Sequence, residues 1–412
     1  MRLVGFDPKH CAFPKQRVSP VPARPVLSPP LSWFTGTTSP SRFRHYSRGR
    51  YALCEAYRLA GVGLKGALFA PAYHCVTMLD PALALGADIR LYSVKADLSP
   101  DLTRLDSLLS EYGRPVSALL ATHYFGFAQD FRELKDWCDK HKIVLIEDCA
   151  HVLFTPNYQA LGTGVFGKFV ASSPAKFFSC EDGGLLYCPE EYLLKSTKTE
   201  SPGLIQELRG VKRVIEKYWK YSTRVSDAPL IDEQLETLRQ YHMVAAEESI
   251  GVYSRPSSLF SEKTNTTAAL CSSRILVRFS SIDKNIRRRR RNYRRWLNAI
   301  AELPQCRALF PTLPENCAPY MFPLVIDHPN FHFYMLKHLG LPINRWDQMA
   351  VSACKIAQDY RLRLLHLPCH QTLTKNQMDW MLAVVKKALH LAPSTKTSLA
   401  ISSNKLSELT AT

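Results

Sequence analysis

No stretch of the 412-residue chain approaches the roughly 18 consecutive apolar residues that a membrane-spanning helix needs. The first eight residues, Met1 to Pro8, also lack the apolar core of a secretory signal peptide. The 12 cysteines are scattered singly, and no two of them form a Cys-x-x-Cys pair. This pattern indicates reduced thiols rather than a disulfide framework or a zinc site. We therefore expect an unexported, cytoplasmic protein that carries no metal.

Acidic residues are also scarce. The chain has 36 Asp and Glu residues against 53 Lys and Arg residues, which gives a net charge of +17. Part of this charge is concentrated in the run Arg287 to Arg291, which we interpret as the solvated face of a helix. Binding to nucleic acid is the alternative, but no nucleic-acid-binding motif accompanies the run. A basic protein also suits phosphorylated ligands.

Composition and periodicity predict an α/β protein with more than one domain. The content of 46% hydrophobic and 22% charged residues is ordinary for a globular protein. Strand and helix patterns alternate up to Asp148, which predicts a mostly parallel sheet flanked by helices. The expected organisation is an irregular N-terminal extension (1–44), a large domain (45–300) that ends in a linking helix (268–303), a small C-terminal α+β domain (301–392) and a disordered tail (393–412).

Two polar side chains lie where buried strands are predicted to end. One strand leads into Asp148, and Lys176 lies in a loop between two apolar runs, 166–171 and 185–187. A lysine forms a Schiff base with a carbonyl compound, and pyridoxal phosphate also needs an acid that keeps its pyridine nitrogen protonated. We hypothesise that Lys176 and Asp148 supply these two groups. The alternatives are a solvated loop lysine and a helix N-cap.

Further candidates lie at the same predicted edge of the sheet, where ligands of parallel sheets bind. Tyr73 and His74 follow a short strand, with ordinary packing as their alternative role. Gly49 and Arg50 open a helix, and a glycine there leaves room for a phosphate beside free backbone N–H groups. His151 follows Asp148 by three residues, a spacing that lets both side chains face one pocket.

Taken in their order, these motifs resemble the DegT/DnrJ/EryC1/StrS sugar aminotransferases, which are fold type I pyridoxal phosphate enzymes. The resemblance extends from about Tyr46 to Leu391. It is carried by four segments: Thr122-His123-Tyr124-Phe125-Gly126-Phe127; Glu147-Asp148-Cys149-Ala150-His151; Ser173-Pro174-Ala175-Lys176 with Asp182-Gly183-Gly184; and Leu367-Pro368-Cys369-His370-Gln371.

The resemblance implies roles for individual residues. Lys176 would hold the cofactor and move the proton between the substrate carbon and the cofactor. The turn around Gly49 would cup the cofactor phosphate, with Arg48 and Arg50 in place of the family's usual hydroxyl residues. Ser173 would add a hydroxyl contact to that phosphate, with Ser172 as the alternative. His151 would lie near the phenolic oxygen of the cofactor.

The implied function is an aminotransferase that moves an amino group from glutamate or glutamine to a keto sugar attached to a nucleotide. Such a step belongs to polysaccharide or secondary-metabolite biosynthesis, and the family implies a homodimer. Alternatives stay open at this point. They are amination of a cyclic ketone such as an inosose, a pyridoxal-dependent dehydratase, and a non-catalytic or nucleic-acid-binding protein on the same scaffold.

Overall fold

The computed structural model describes residues 1–6, 13–28, 40–221, 229–240, 248–315 and 317–391. The helices in these ranges are α1 (Gly49–Leu59), α2 (Val76–Ala84), α3 (Leu102–Tyr112), α4 (Arg132–Lys140), α5 (Leu204–Lys220), α6 (Pro229–Gln240), α7 (Cys271–Arg278), α8 (Ile282–Ile300), α9 (Pro329–His338), α10 (Lys355–Arg363) and α11 (Lys375–His390). The strands are β1 (Arg2–Phe6), β2 (Phe43–Tyr46), β3 (Ala67–Pro71), β4 (Ile89–Tyr92), β5 (Val116–Thr122), β6 (Val144–Cys149), β7 (Phe154–Thr155), β8 (Tyr158–Gln159), β9 (Phe169–Ser172), β10 (Gly184–Tyr187), β11 (Glu248–Val252), β12 (Cys306–Ala308), β13 (Met321–Ile326), β14 (Met349–Ala350) and β15 (Leu364–Pro368).

A seven-stranded sheet in the order β2-β10-β9-β6-β5-β3-β4 forms the centre of the protein. The strands from β9 to β4 run parallel, whereas β10 is antiparallel to both of its neighbours. In the registers, Thr122 of β5 pairs with Asp148 of β6, and Cys149 pairs with Ser172 of β9. The carboxyl ends of these three strands therefore lie side by side, as the sequence predicted.

Local sequence explains the crossover helices of this sheet. In α4, Trp137 and Cys138 lie three and four residues after Leu134, and the burial of all three gives the helix one apolar face. In α3, the side chain of Asp101 caps the N-terminus by accepting from the Arg104 N–H, and Gly113 ends the helix with a φ of 61°. Glycine adopts that left-handed conformation without a steric penalty.

The second half of the chain builds a smaller antiparallel sheet in the order β12-β13-β15. Helix α8 ends at Ile300, next to the predicted domain boundary, and carries the fully buried Trp296 towards this sheet. A capping box between Thr374 and Gln377 fixes the start of α11. Within the described residues, no helix is both long and apolar enough to cross a membrane.

The single linking helix predicted over 268–303 is wrong, because the structure has two helices there, α7 and α8. The hydroxyl of Ser280 donates to the Leu276 carbonyl, and the Ser281 N–H donates to the Val26 carbonyl. The carbonyl of Phe279 accepts from the Ser28 N–H. A side chain and the N-terminal segment thus take over backbone groups that a continuous helix would use.

The N-terminal extension is not wholly irregular, which corrects the prediction for residues 1–44. Strand β1 pairs with β11 and with β14, and the last two residues of the range belong to β2. Further along, the Ala23 N–H donates to Thr372, and Phe13 packs on Phe333 and Tyr334. Strand β1 depends on pairing with distant strands, and no local periodicity of the sequence predicts it. The predicted disordered tail, 393–412, lies outside the described residues.

Candidate active site

A cavity of about 230 Å³ opens at the carboxyl ends of β5, β6 and β9. Most of the predicted site residues line it, namely Gly49, Arg50, Asp148, His151, Ser173 and Lys176. Tyr73 and His74 lie outside this set. The remaining walls come from α2, from the loop that follows β9 and from Trp346 of the C-terminal half.

Lys176 ends a short 3-10 helix, Pro174–Lys176, that directly follows β9. Its amine lies 5.6 Å from the centre of the Tyr320 ring. Burial lowers the pKa of Lys176 below its ordinary value, and the nearby Asp148 carboxylate opposes that shift. A lysine with a lowered pKa has more of its amine neutral at neutral pH, which is the form that attacks a carbonyl group.

Asp148 lies at the end of β6 and is 3% exposed. One of its oxygens accepts from the Ala150 N–H at 2.8 Å. Burial raises the pKa of Asp148, whereas the charge of Lys176 lowers it. Helix capping, the alternative role, is not what the structure shows, because the segment after Asp148 forms a turn rather than a helix.

The neighbouring carboxylate, Glu147, is fully buried and occupied by the protein itself. It accepts from His123 at 2.9 Å and from the backbone N–H groups of Gly164, Phe166 and Gly167. The other ring nitrogen of His123 accepts from the Gln129 N–H, so the nitrogen that faces Glu147 is the donor. These hydrogen bonds hold the pKa of Glu147 below its ordinary value against the effect of burial. The cluster anchors the strand next to Asp148.

The turn before α1 passes close to the loop of Lys176. A Cβ atom at Gly49 would lie 3.1 Å from the Cβ of Ser173 and 3.3 Å from the Ser172 carbonyl oxygen. A Cβ atom at Gly184 would lie only 2.1 Å from the Arg48 carbonyl oxygen. The first backbone N–H groups of a helix have no partner within the helix, and they favour an anion. The turn therefore places a helix N-terminus, which favours an anion, beside Ser173.

Two arginines flank this turn. Arg48 donates to the Glu181 carbonyl oxygen at 2.9 Å and lies 3.6 Å from the Glu181 carboxylate, which also pairs with Arg213 at 3.0 Å. Arg50 donates to the carbonyl of Leu259. Both arginines line the cavity and bring positive charge to it.

An aromatic box surrounds His151. Its ring centre lies 4.7 Å from that of Tyr320, 5.5 Å from that of Trp346 and 5.6 Å from that of Phe125. Burial, followed by the charge of Lys176, keeps the pKa of His151 well below its ordinary value. Among the described residues, its buried Nδ1 atom has no hydrogen-bond partner. A polar atom in this condition is suited to a ligand group.

Tyr73 and His74 lie behind the cavity wall. The Tyr73 hydroxyl bonds to His366 at 3.0 Å, and its ring centre lies 4.7 Å from that of Trp346. His74 bonds through Nδ1 to the Ala72 carbonyl at 2.9 Å and through Nε2 to the Ala350 N–H at 3.1 Å. Both His74 nitrogens are therefore used by the backbone, which matches ordinary packing, the alternative role.

Three residues near the site were not identified as site residues from the sequence. Cys75 and Trp346 line the cavity, and neither was assigned from the sequence. Arg289 is 1% exposed and contacts the backbone of Lys176, although it lies in the run that was interpreted as a solvated face. That interpretation is wrong for Arg289, because this position of the helix faces the interior. Arg289 lies seven residues before Trp296, and residues at this spacing lie on the same face of a helix. This spacing is the sequence signal that could have identified Arg289 as buried.

Sequence comparisons give matches of one kind. The model of the DegT/DnrJ/EryC1/StrS aminotransferase family matches residues 46–339. The GDP-perosamine synthase of Vibrio cholerae is 25% identical over 171 residues, which are 39% of this chain and 43% of that protein. The L-glutamine:scyllo-inosose aminotransferase of Streptomyces griseus is 28% identical over 174 residues, 42% of this chain and 38% of that protein. The chain thus matches less than half the length of these two relatives.

Solved structures agree with the predicted fold. The Helicobacter pylori aminotransferase PseC, involved in the biosynthesis of pseudoaminic acid, superposes with a TM-score of 0.59 at 14% identity. The superposition covers 84% of this chain and 86% of that one. At this identity the similarity demonstrates the fold alone. It confirms the prediction of a fold type I architecture.

Proposed function

Because this chain belongs to the DegT/DnrJ/EryC1/StrS aminotransferase family, we propose that it transfers an amino group from glutamate or glutamine to a nucleotide-linked keto sugar. The observation that carries the proposal is the cavity itself. It combines a lysine of lowered pKa, a buried carboxylate at a strand end and a glycine turn at a helix N-terminus. We place the reaction in the cytoplasm, in polysaccharide or secondary-metabolite biosynthesis.

Members of this family depend on pyridoxal 5′-phosphate, and the residues of the cavity fit that cofactor. The turn at Gly49 and the Ser173 hydroxyl would hold its phosphate, with Arg48 and Arg50 adding charge. The unpartnered Nδ1 of His151 would meet an oxygen or a hydroxyl group of the ring system. When bound, the cofactor supplies an electron sink for the carbon that is aminated.

The protein's own groups perform the remaining tasks. Lys176 would hold the cofactor covalently between turnovers, and as a free amine it would move the proton to and from the substrate carbon. Asp148 stays ionised when a cationic pyridine nitrogen faces it, because that charge compensates for its burial. Trp346 lines the cavity, and an apolar face of a sugar ring would pack against its indole.

Amination of a cyclic ketone is the second candidate. It is supported by the Streptomyces griseus relative, whose name specifies scyllo-inosose as the substrate. A sugar nucleotide carries a diphosphate, whereas an inosose is uncharged. Competition by a nucleoside diphosphate should therefore inhibit the first activity and spare the second. The nucleic-acid-binding alternative is weakened by the burial of Arg289, which removes the central charge of the run from the surface.

We also propose a homodimer. Helix α5 exposes an apolar stripe whose residues lie three or four positions apart, with exposed fractions of 76% for Leu204, 63% for Leu208, 44% for Val211 and 51% for Ile215. The opposite side of the helix packs on the chain, where Gly210 meets Leu270. A continuous exposed apolar stripe is typical of a surface that another protein covers, and we assign this one to a second copy.

The test is to identify the lysine that holds the cofactor. Purified protein should absorb visible light, and borohydride reduction followed by mass spectrometry should find the cofactor on the peptide that contains Lys176. The variant Lys176→Ala should lose both the linkage and turnover, whereas Lys168→Ala, which changes an exposed lysine before β9, should keep them. A cofactor on any other lysine, or on none with cofactor in excess, would refute the proposal.

A further inference from the structure

The guanidinium of Arg289 is buried in α8 without an acidic partner among the described residues. It is 1% exposed, and it donates from Nε to the Gln371 side-chain oxygen at 2.7 Å. Its Nη1 donates to the carbonyls of Pro319 at 2.9 Å and Tyr320 at 3.1 Å. A buried charge is costly unless it is fully hydrogen-bonded, and here neutral oxygens satisfy it.

The remaining nitrogen points at the lysine loop. Nη2 of Arg289 lies 3.4 Å from the Lys176 carbonyl oxygen and 3.3 Å from that of Phe177. The guanidinium carbon lies 4.7 Å from the centre of the Phe177 ring, an additional cation–π contact. Arg289 therefore contacts the Lys176 backbone, and both the backbone and the ring of Phe177.

Gln371 holds the same loop from a second direction. Its side-chain nitrogen donates to the Phe177 carbonyl at 2.7 Å, while its oxygen accepts from Arg289. Lys176 and Phe177 belong to the first half of the chain, whereas Gln371 and Tyr320 belong to the second. The arginine and the glutamine thus join the two halves at the Phe177 carbonyl, and the arginine also reaches the Lys176 carbonyl.

We propose that Arg289, together with Gln371, is a positioning residue that fixes the backbone of Lys176 and so determines where its amine lies in the cavity. The inference rests on the role of Lys176 in the proposed function. The low pKa of Lys176 arises first from burial, so an amine released from this position becomes hydrated and titrates more like an ordinary lysine. Tyr320, whose ring faces that amine, is held by the same guanidinium through its carbonyl.

The experiment measures the titration of Lys176 in the full chain after the cofactor has been dialysed away. A trace of acetic anhydride is applied across a pH series, and mass spectrometry of the Lys176 peptide gives the pH midpoint of labelling. An ordinary lysine has a pKa of about 10.4, and the wild-type midpoint should lie below that value. In Arg289→Met the midpoint should rise by roughly 0.5 to 1 pH unit. The fraction of Lys176 present as neutral amine at neutral pH would then be about 3- to 10-fold lower.

Matched variants separate positioning from general damage. Arg291→Met removes an exposed arginine of the same helix and should leave the midpoint unchanged. Arg289→Lys keeps the charge, so its labelling midpoint should lie between those of the wild type and Arg289→Met. Gln371→Glu retains the acceptor for Arg289 but loses the donor to Phe177, and it should also raise the midpoint. With cofactor restored, the pH dependence of the visible absorbance should shift in the same order.

An unchanged midpoint in folded Arg289→Met would overturn the proposal. If that variant does not fold, an unchanged midpoint in both Arg289→Lys and Gln371→Glu would overturn it instead. The labelling needs neither substrate nor turnover, so its result is independent of whether transamination is detected. Failure of the proposed function would appear separately, as absence of cofactor from Lys176 in the borohydride experiment.

Discussion

The substitution Gly49→Ala tests the assignment of the phosphate turn. Gly49 is the first residue of α1, and its φ is not in the left-handed region, so alanine meets no backbone strain there. In a helix interior, alanine is favoured over glycine by about 1 kcal/mol. Considered alone, the backbone would therefore tolerate or prefer alanine at this position.

The atoms around Gly49 predict, in contrast, that alanine weakens ligand binding. The added methyl group would lie 3.1 Å from the Cβ of Ser173 and 3.3 Å from the Ser172 carbonyl oxygen, both tighter than ordinary van der Waals contact. Ser172 cannot retreat, because β9 is paired with β6 and β10 on its two sides. The helix start must move instead, and overpacking of this kind costs about 1–3 kcal/mol.

We expect the two effects to offset each other in unfolding and to leave a loss in cofactor binding. A displacement of the helix start that costs 1–2 kcal/mol in phosphate binding weakens cofactor affinity by roughly 5- to 30-fold. The assay is an absorbance titration with pyridoxal phosphate, alongside thermal unfolding without cofactor. Gly203→Ala is the control, because a Cβ there meets no atom within 4 Å. Unchanged affinity in Gly49→Ala would show that the phosphate does not bind at this turn.

Three other predictions follow from the site, the surface and the buried histidines. Asp148→Asn should fold and bind cofactor but lose most transamination, because an amide cannot keep the pyridine nitrogen protonated; near-normal turnover would identify a different carboxylate as the partner. Ile215→Glu should convert the proposed dimer into a monomer in light scattering, whereas Gln206→Glu on the same helix should not; dimers in both would place the interface elsewhere. Burial lowers the pKa of His370 from 6.5 to about 3, so the unfolded chain takes up the proton first and stability falls as the pH drops below 6.5. His370→Gln should therefore flatten the decline of the melting temperature between pH 6.5 and 4, and an equally steep decline would show that other groups control acid unfolding.

The sequence predicted the parts of the site that depend on local pattern. Asp148 and Lys176 each follow a buried strand, and parallel pairing brings such strand ends together regardless of the rest of the chain. The helix at Gly49 likewise follows from apolar spacing over a few residues. These features need the fold class alone, and the fold class is evident from the alternation of strands and helices.

Contacts between distant segments were not predictable in the same way. Arg289 contacts Lys176 across 113 positions of the chain, and five consecutive arginines give no sign of which one faces inwards. Trp346 reaches the cavity from a loop with no regular pattern. The break between α7 and α8 depends on Val26 and Ser28, whose hydrogen bonds form only in the folded chain. In each case tertiary packing outweighs the local preference.

The side-by-side carboxylates of β6 show how much chemistry rests on strand register. Successive side chains of a strand point to opposite faces, so Glu147 and Asp148 stand in different surroundings although one peptide bond joins them. Glu147 meets a ring of N–H donors, while Asp148 meets the cavity. A slip of one residue against β5 that moved Glu147 to the cavity would move Ile146 into the donor ring. The donor ring would then lack its anion, and the acid at the cavity would be one methylene too long. A slipped strand would therefore lose both the acceptor that satisfies the buried N–H groups and the aspartate that lines the cavity.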